Sequence, residues 1–408
     1  MNICLLTQEW PPYGCGIGTY MFNLARGLVD AGHQVIVITH DQNPITLQGV
    51  VIHSVSLPKS NDMCFRMKRK MLRLFCGIRD QWSWSAFQLF ESVIEKSEID
   101  IVETAEFGAW GEHFVKNNKV PVVVRCHNPG HIVWSANQIG HTRQWPFPKS
   151  VQKQDKVEYT QTVQADGIIS PSEALAYHLS LSWVIPLCRF SVIPNPIDNE
   201  LFSPDPLVLK KEEILFVGRL ELNKGVYDLA SSLVPIFDYN SSVSVRFVGM
   251  DRPAPSSYRK LGLMASDVIL SIIPMEYHSR VHFTAPVAVS EIADFQRRAL
   301  LSVMPTRGFE SFSYTVLEPM ACGTPVIATQ CGGPSEIITH KKDGLLVPPG
   351  RPDALTSAIK MLLEKKKMRA QFATEALITV EKKYSISVIV PQIIKYYDEV
   401  IGEFTLRK

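Results

Sequence analysis

The sequence predicts an α/β protein made of two Rossmann-like, doubly wound domains that face each other across a cleft. Its 408 residues exceed the length at which a single hydrophobic core usually stops growing. Short apolar runs alternate with longer amphipathic segments, which is the pattern of parallel strands joined by helical crossovers. A proline-rich stretch from Pro194 to Pro206 interrupts this alternation, which then restarts.

The apolar runs divide into two sets, one on each side of the proline-rich stretch. The first set predicts the strands Ile3 to Thr7, Val35 to Thr39, Val50 to Val55, Ile99 to Glu103, Val122 to Cys126, Gly167 to Ser170 and Phe190 to Pro194. The second predicts Ile214 to Val217, Val243 to Val248, Arg280 to Phe283, Leu300 to Pro305, Pro325 to Ala328 and Gly344 to Val347. We therefore expect domains over residues 1–196 and 207–385, with an amphipathic C-terminal helix at about 386–408 packing back onto the first.

Composition excludes several classes of protein. Hydrophobic residues make up 46% and charged residues 20%, which fits neither a disordered chain nor a membrane bundle. A net charge of +2 gives no cationic field for nucleic acid. The eight cysteines are scattered without zinc spacing, the chain start lacks a signal-peptide pattern, and no apolar run reaches about 18 residues. We expect reduced thiols, no metal site and a cytoplasmic protein.

A glycine-rich loop, Pro11 to Gly18, follows the first strand and leads into a predicted helix from about Thr19 to Ala31. Because glycines let backbone amides approach an anion, and a helix N-terminus favours negative charge, Gly16 is a candidate phosphate contact. A tight strand-to-helix turn without a ligand is the alternative.

Two cations, Arg219 and Lys224, stand in the loop after the first strand of the second half. A leaving nucleoside diphosphate gains negative charge as its bond breaks, and a guanidinium fork and an ammonium can stabilise it. The alternative is a pair of solvated surface cations.

Two glutamates bracket a predicted helix start after the strand Leu300 to Pro305. Glu310 falls in the loop, Glu318 in a helix that Gly323 should end, and the amides near Ser313 to Thr315 lie at the helix start. Carboxylates suit the hydroxyls of a ribose and a sugar, although helix capping would also explain these acids.

A histidine, His127, follows the apolar strand Val122 to Cys126 at the edge where the cleft should open. This position suits a catalytic group, while a structural histidine is the alternative.

Together these segments resemble family 4 of the retaining glycosyltransferases, which have the GT-B fold, over nearly the whole chain. The resemblance lies in the glycine loop, the Gly218-Arg219 to Lys224-Gly225 pair, the seven residues between Glu310 and Glu318, and the segments Ile193 to Asp198 and Gly344 to Gly350. It implies a metal-independent transferase that moves a hexose-type sugar from a nucleotide diphosphate-sugar to an acceptor hydroxyl, in the synthesis of a polysaccharide, glycolipid or other glycoconjugate. The donor is a substrate, and no cofactor is implied.

The resemblance also assigns roles to residues. It implies that Gly16, Arg219 and Lys224 lie at the donor phosphates, and that Glu318 holds the ribose and Glu310 the donor sugar. The backbone of Phe312, Ser313, Tyr314 and Thr315 would lie between them, with His127 beside the reacting sugar. Cys15 and Ser313 depart from the family's glycines, and Glu103 and Glu106 resemble an acceptor-side pair found in a subgroup, with ordinary loop acids as the alternative.

A basic, amphipathic segment at residues 63–75 is the one candidate membrane contact. Such a helix can rest on anionic lipid, with each basic residue worth roughly 1 kcal/mol near the surface. A domain helix with solvated cations explains the same pattern. The expected partners are therefore the nucleotide-sugar donor and an acceptor that is a glycan, a glycolipid or a small molecule.

Two other functions fit the predicted fold. A nucleotide-sugar epimerase would use the same two-domain architecture, and a catalytically silent nucleotide-sugar-binding subunit would keep the donor site alone. Release of nucleotide only in the presence of an acceptor separates transfer from epimerisation, and failure to bind any nucleotide sugar would favour a silent scaffold subunit.

Overall fold

The computed structural model describes residues 1–12, 16–40, 43–55, 81–94, 98–136, 147–255 and 261–408, and for residues 93 and 94 it describes the backbone alone. This part of the chain forms two compact units. The N-terminal unit comprises residues 1–131, 147–196 and 386–408, and the C-terminal unit comprises residues 132–146 and 197–385.

The N-terminal unit is built on a seven-stranded parallel sheet in the order β3-β2-β1-β4-β5-β6-β7. Its strands are β1 Asn2–Thr7, β2 Gln34–Thr39, β3 Val50–Ser54, β4 Ile101–Ala105, β5 Val122–Arg125, β6 Gly167–Ser170 and β7 Phe190–Val192. The central strands are buried throughout, because helices cover a parallel sheet on both faces.

The helices of this unit are α1 Gly16–Asp30, α2 Gln81–Ile94, α3 Glu112–Asn117, α4 Gly130–Ala136, α5 Lys149–Gln164, α6 Glu173–Trp183 and the C-terminal helix α14 Ile386–Arg407, with α4 crossing the unit boundary. Gly27 lets α14 approach α1 closely, since a Cβ there would lie 2.5 Å from a methyl group of Val390. The C-terminal helix thus packs on the helix that follows the glycine loop.

The C-terminal unit is built on a six-stranded parallel sheet in the order β10-β9-β8-β11-β12-β13. Its strands are β8 Glu213–Val217, β9 Ser244–Val248, β10 Val281–Thr284, β11 Leu301–Met304, β12 Val326–Thr329 and β13 Leu345–Val347. The helices are α7 Val226–Tyr239, α8 Ala265–Ile272, α9 Val289–Arg298, α10 Tyr314–Ala321, α11 Pro334–Ile337, α12 Pro352–Glu364 and α13 Lys366–Lys383. The chain order reverses between β8 and β11, which is the place where doubly wound sheets bind ligands.

The thirteen predicted strands and the doubly wound α/β class are confirmed, with strand ends shifted by a few residues. One helix start differs from the prediction. α1 begins at Gly16 rather than about Thr19, because Ile17 is buried and Gly18 packs on Glu9, so tertiary burial extends the helix into a glycine-rich stretch.

The proline-rich stretch is not a free linker. The chain passes from one unit to the other after Pro196, and Ile197 pairs with Ser385 beside the return crossing. Ile197 and Phe202 are buried in the hydrophobic core of the C-terminal unit, so burial of these apolar residues fixes most of the stretch there.

Some predictions lie outside the described residues, namely the basic segment at 63–75, Cys15, Cys64 and Cys76. In the described part of the chain, five cysteines are unpaired, and no helix is long and apolar enough to cross a bilayer.

Candidate active site

The loop after β8 carries the two predicted phosphate-binding cations. Arg219 is exposed and forms an ion pair with Glu221, with 2.9 Å between Nη2 and Oε1. Lys224 ends a short 3₁₀ turn and is followed by Gly225, whose φ is +71°. A Cβ at Gly225 would lie 1.8 Å from the carbonyl oxygen of Pro305. Only glycine fits this close approach, which fixes Lys224 beside the end of β11.

A second ion pair holds the same loop. The Arg307 guanidinium contacts the Asp228 carboxylate in a bidentate manner at 2.5 Å, and the Arg307 amide donates to the carbonyl of Asn223. Asp228 lies in the first turn of α7, directly after the Lys224 loop. The sequence analysis missed this clamp, because its two residues are 79 positions apart and neither is in a glycine-rich motif.

Glu310 is held by a double-glycine turn that the sequence analysis also missed. Its amide donates to the carbonyl of Cys331, and its carbonyl accepts from the amide of Gly333. Cβ atoms at Gly332 and Gly333 would lie 2.5 Å from the carbonyl oxygens of Glu310 and Ser311, respectively. The pair of glycines after the apolar run ending at Ala328 was the available signal.

Helix α10 begins at Tyr314 with Ser313 as its N-cap, and Gly323 follows its end with a φ of +65°. The predicted helix start and stop are therefore confirmed. Phe312 and Ser313 are buried, Tyr314 and Thr315 are half-buried, and the Ser313 and Thr315 hydroxyls lie 3.1 Å apart. The N-terminus of α10 offers an anion a favourable partial charge at the carboxyl edge of the sheet.

Glu318 projects from α10 into an apolar environment. It is 7% exposed, and its Oε2 has no hydrogen-bond partner among the described residues. Burial raises the pKa of this carboxyl to about 7. A buried, incompletely hydrogen-bonded carboxyl destabilises the free protein, and it would gain its missing partners from a ligand that carries hydroxyl groups.

The structure brings Lys224 and Glu310 into direct contact, with 2.6 Å between Nζ and Oε2. Both side chains are partly buried, at 25% and 13% exposure. A cation next to a carboxylate can bind a phosphate and an adjacent polyol, which are covalently joined in a nucleotide sugar.

The N-terminal unit places His127 just beyond β5. The ring is buried, it packs edge-on against Tyr20 at 5.4 Å between centroids, and its Nε2 lacks a hydrogen-bond partner in the described structure. Burial, with the neighbouring Arg125 charge, lowers the pKa of His127 to about 3. The imidazole is therefore neutral near pH 7 and can donate or accept a hydrogen bond.

Gly16 is exposed at the start of α1. A Cβ there would meet no atom within 4 Å in the described structure, so packing does not require glycine at this position.

Glu103 is not a loop acid. It lies within β4, is fully buried, and accepts hydrogen bonds from the hydroxyls of Tyr20 and Tyr397. The alternative of an ordinary loop carboxylate is wrong for this residue, because β4 continues to Ala105. Both of its carboxyl oxygens have tyrosine partners within the unit.

Glu106 lies one residue beyond β4 and is fully buried as well. Neither of its carboxyl oxygens has a hydrogen-bond partner that meets normal geometry within the described residues, although the amide of His127 is close. Burial raises the pKa of Glu106 to about 8. Nearby Glu158 accepts from the amides of Gly108 and Gly130, and burial raises its pKa too.

Across the residues that the structure describes, no group of three or more histidine, cysteine, aspartate or glutamate side chains is arranged to hold a metal ion.

Two family models match the chain and together span most of it. The model described as Glycosyltransferase Family 4 matches residues 14–201, and the model described as Glycosyl transferases group 1 matches residues 198–377. The boundary between the two matches falls where the chain passes from the N-terminal to the C-terminal unit.

The chain is also similar to full-length proteins. An uncharacterized glycosyltransferase of Methanocaldococcus jannaschii is 24% identical over 421 residues, covering 97% of this chain and 98% of the relative. A sucrose-phosphate synthase from Thermosynechococcus elongatus has a similar structure, with a TM-score of 0.77, 19% identity and coverage of 99% of this chain and 100% of that one. Anabaena HepE in complex with UDP-glucose gives a TM-score of 0.72 at 16% identity, covering 98% and 100%.

Proposed function

We propose that this chain, which belongs to glycosyltransferase family 4 and has the GT-B fold, is a retaining, metal-independent hexosyltransferase. It moves a hexose-type sugar from a nucleotide diphosphate-sugar to an acceptor hydroxyl, in the synthesis of a polysaccharide, glycolipid or other glycoconjugate. The observation that carries the proposal is the contact between Lys224 and Glu310.

Charge neutralisation on the diphosphate is the first part of the proposed mechanism. As the bond from the anomeric carbon to the phosphate oxygen breaks, negative charge develops on the leaving diphosphate. Arg219 and Lys224 supply two fixed cations from one loop, and Gly225 and the Arg307 clamp keep Lys224 in place. Preorganised charge of this kind is usually the largest single contribution to catalysis.

Recognition of the donor's hydroxyls is the second part. Glu310 accepts from the sugar, next to the lysine that contacts the phosphate. Glu318 accepts from the ribose, which supplies partners for its buried oxygen. The backbone from Phe312 to Thr315 lies between the two carboxylates in the chain, and the amides at the start of α10 face the diphosphate.

His127 and Gly16 are the groups that the N-terminal unit contributes. Neutral His127 lies beside the reacting sugar and orients it through a hydroxyl, while Gly16 allows the α1 amides to approach the phosphates. The acceptor oxygen then attacks from the face that the diphosphate leaves, and its proton passes to the departing phosphate oxygen. Attack on that face retains the anomeric configuration.

UDP-glucose is the first donor to test, because the HepE structure was obtained with it. A thermal-shift panel of nucleotide sugars identifies the donor, since a ligand that binds the native state raises its apparent stability. Transfer is then followed as nucleotide released when an acceptor is added. Conversion of the donor to an isomeric nucleotide sugar in the absence of an acceptor would identify an epimerase instead.

Lys224→Ala and Glu310→Ala test the site itself. We expect each to lower kcat/KM by about 10²- to 10³-fold with the fold intact. Lys342→Ala is the matched control, because Lys342 is exposed and its ion pair is long at 3.9 Å. Full activity in both site variants would refute the assignment, and NMR of the product's anomeric proton decides between retention and inversion. Unchanged turnover after chelation supports metal independence.

The acceptor class depends on whether the protein reaches a membrane. The basic segment at residues 63–75 is proposed to contact anionic lipid, which would bring a lipid-linked acceptor within reach. Flotation with phosphatidylserine vesicles, compared with phosphatidylcholine vesicles, tests this contact. Equal recovery with the two lipids would favour a water-soluble acceptor.

A further inference from the structure

We propose that Tyr397, on the C-terminal helix, is a positioning residue for His127. The inference rests on the proposed function of His127 in transfer. Tyr397 is fully buried, lies 270 residues along the chain from His127 and belongs to none of the motifs that define the site. A chain of contacts through the interior of the N-terminal unit connects it to the imidazole.

The first link is a buried carboxylate held by two tyrosines. The Tyr397 hydroxyl donates to Oε2 of Glu103, and the Tyr20 hydroxyl donates to Oε1 at 2.6 Å. Because each carboxyl oxygen accepts a hydrogen bond from a different hydroxyl, the two donors fix the orientation of the Glu103 side chain. Removing one hydroxyl would leave a buried oxygen unsatisfied and free the carboxylate to rotate.

The second link is the ring of Tyr20. The Arg125 guanidinium lies over one face of this ring at 4.2 Å, and the ring packs edge-on against His127 with an interplanar angle of 65°. The position of His127 is therefore set on one side by Tyr20, whose hydroxyl is held by Glu103. An aromatic pair of this kind is specific in geometry as well as in contact area.

The third link joins the network to the segment that leaves the unit. Arg125 lies 4.0 Å from Glu103 and donates to the carbonyls of Ile193 and Pro194 at 2.8 and 3.2 Å. Asn23, on the same helix as Tyr20, donates to the carbonyl of Pro196 at 3.0 Å. The outgoing segment and the returning helix α14 are thus held by one polar cluster. Its central member, Arg125, ends β5 and lies two residues before His127.

The C-terminal helix α14 therefore contributes a hydrogen bond to this network in addition to its apolar packing. Buried polar networks specify one arrangement of their members, since any alternative leaves groups unsatisfied. Tyr397 completes the network, so its hydroxyl should matter for the placement of the imidazole and not for donor binding, whose groups lie mainly in the C-terminal unit.

Tyr397→Phe and the control Tyr396→Phe test the proposal. Tyr396 is the next residue back on the same helix, and its partly buried hydroxyl accepts a hydrogen bond from the amide of Ile168 at 3.0 Å. We expect Tyr397→Phe to lower kcat at least about tenfold, because small misplacements of catalytic groups are costly. The Kd for UDP-glucose should not change. Tyr396→Phe should leave kcat and the Kd for UDP-glucose unchanged, although it should lower the thermal stability about as much as Tyr397→Phe does.

A spectroscopic measurement makes the test independent of turnover. With isotope-labelled histidine, the His127 Hε1 signal is the one lost in His127→Gln. We expect it to shift in Tyr397→Phe, as the ring current of Tyr20 moves, and to stay in place in Tyr396→Phe. An unchanged signal in Tyr397→Phe overturns the proposal, whether or not the protein transfers sugar. A shifted signal without transfer activity would leave the positioning intact and refute the proposed function.

A double-mutant cycle supplies a further variant. Glu103→Gln keeps the side chain's shape and should also lower kcat, and the double variant Glu103→Gln with Tyr397→Phe should lose less than the product of the two single losses. Multiplicative losses would show that the two residues act separately, contrary to the proposal.

Discussion

The two units differ in the exposure of the charged side chains discussed above. In the N-terminal unit, Glu103 and Arg125 are fully buried and take their partners from within the unit. In the C-terminal unit, Arg219 and Lys224 keep 45% and 25% of their side chains exposed at the ends of strands. Charges sealed in a core stabilise one conformation, whereas charges at a strand edge remain able to meet a ligand.

The support beneath the polar groups differs as well. The C-terminal site depends on backbone close approaches, in which glycines at 225, 332 and 333 leave no room for a side chain. The N-terminal site depends on side chains that hydrogen-bond one another, and a Cβ at Gly16 would meet no atom of the described residues within 4 Å. Adding a methyl group to one of these glycines should therefore disrupt the C-terminal site. Removing a hydrogen-bonding atom should disrupt the N-terminal site.

The largest expected effect concerns Glu106 and the pH dependence of stability. Its pKa is about 8 in the folded protein, well above the ordinary value of 4.5, so the folded state holds an extra proton between these values. The contribution of Glu106 to the unfolding free energy should fall as the pH rises from about 4.5 to 8, by at most roughly 5 kcal/mol, and level off above. In Glu106→Gln this fall should be smaller, as measured by thermal melts between pH 5 and pH 9.

Glu399→Gln is the matched control for this measurement. Glu399 lies in the same unit, but its side chain is 57% exposed. Its replacement should reproduce the wild-type pH curve. If Glu106→Gln did so too, the carboxyl at position 106 would be solvated, and the contrast between a sealed N-terminal unit and an open C-terminal site would weaken.

The next effect concerns Gly333. A methyl group there meets the carbonyl oxygen of Ser311 at 2.5 Å, and overpacking against backbone should cost about 3 kcal/mol of unfolding free energy. Gly350→Ala is the control, because Gly350 has a φ of +69° but a Cβ there would meet no atom of the described part of the chain within 4 Å, and it should lose only about 1 kcal/mol. Urea denaturation compares the two. Equal losses would mean that the turn is not packed as tightly as its contacts indicate.

The strands were predictable because both faces of each sheet are covered, which requires apolar residues at nearly every strand position. The interpretation of Glu103 as a possible loop acid did not take this coverage into account. A glutamate inside a strand whose neighbours are all buried must find a partner in the core, and that rule could have predicted an internal network. The identity of its partners could not be predicted, since Tyr397 lies 294 residues away.

Local sequence spacing predicted more about the C-terminal candidate site than about the network around Glu103. Lys224 and Glu310 lie in loops that follow strands, and Glu318 lies in the helix after the second of these loops. Parallel strands bring such loops to one edge of a sheet. The Arg307–Asp228 clamp and the turn at Gly332 and Gly333 were missed, because each works by contact with a segment distant in the chain. Sequence spacing predicts which edge a residue occupies, while the support beneath it depends on tertiary contacts.

A smaller effect should separate the two buried acids by their response to the donor. Glu318 has a pKa of about 7 in the free protein, and accepting hydrogen bonds from the ribose hydroxyls on both of its oxygens requires the ionised form. Affinity for UDP-glucose should therefore rise about tenfold per pH unit up to pH 7 and then level off. Calorimetry of Glu318→Gln should show weaker binding that is flat with pH, whereas Glu106→Gln should keep the wild-type slope. An affinity that rises as the pH falls would indicate a protonated Glu318 that donates to the nucleotide.

The smallest effect on the protein itself is expected at Gly16. Since an added methyl group would contact nothing in the described structure, Gly16→Ala should change the unfolding free energy by no more than about 0.5 kcal/mol. Its effect on turnover should be larger, about fivefold in kcat/KM, roughly the value of one hydrogen bond lost between an α1 amide and the phosphates. Gly402→Ala is the control, because Gly402 is exposed on α14 and also has no neighbour within 4 Å. Wild-type kcat/KM in both variants would make the glycine loop a tight turn without a ligand, and the C-terminal unit would then bind the diphosphate alone.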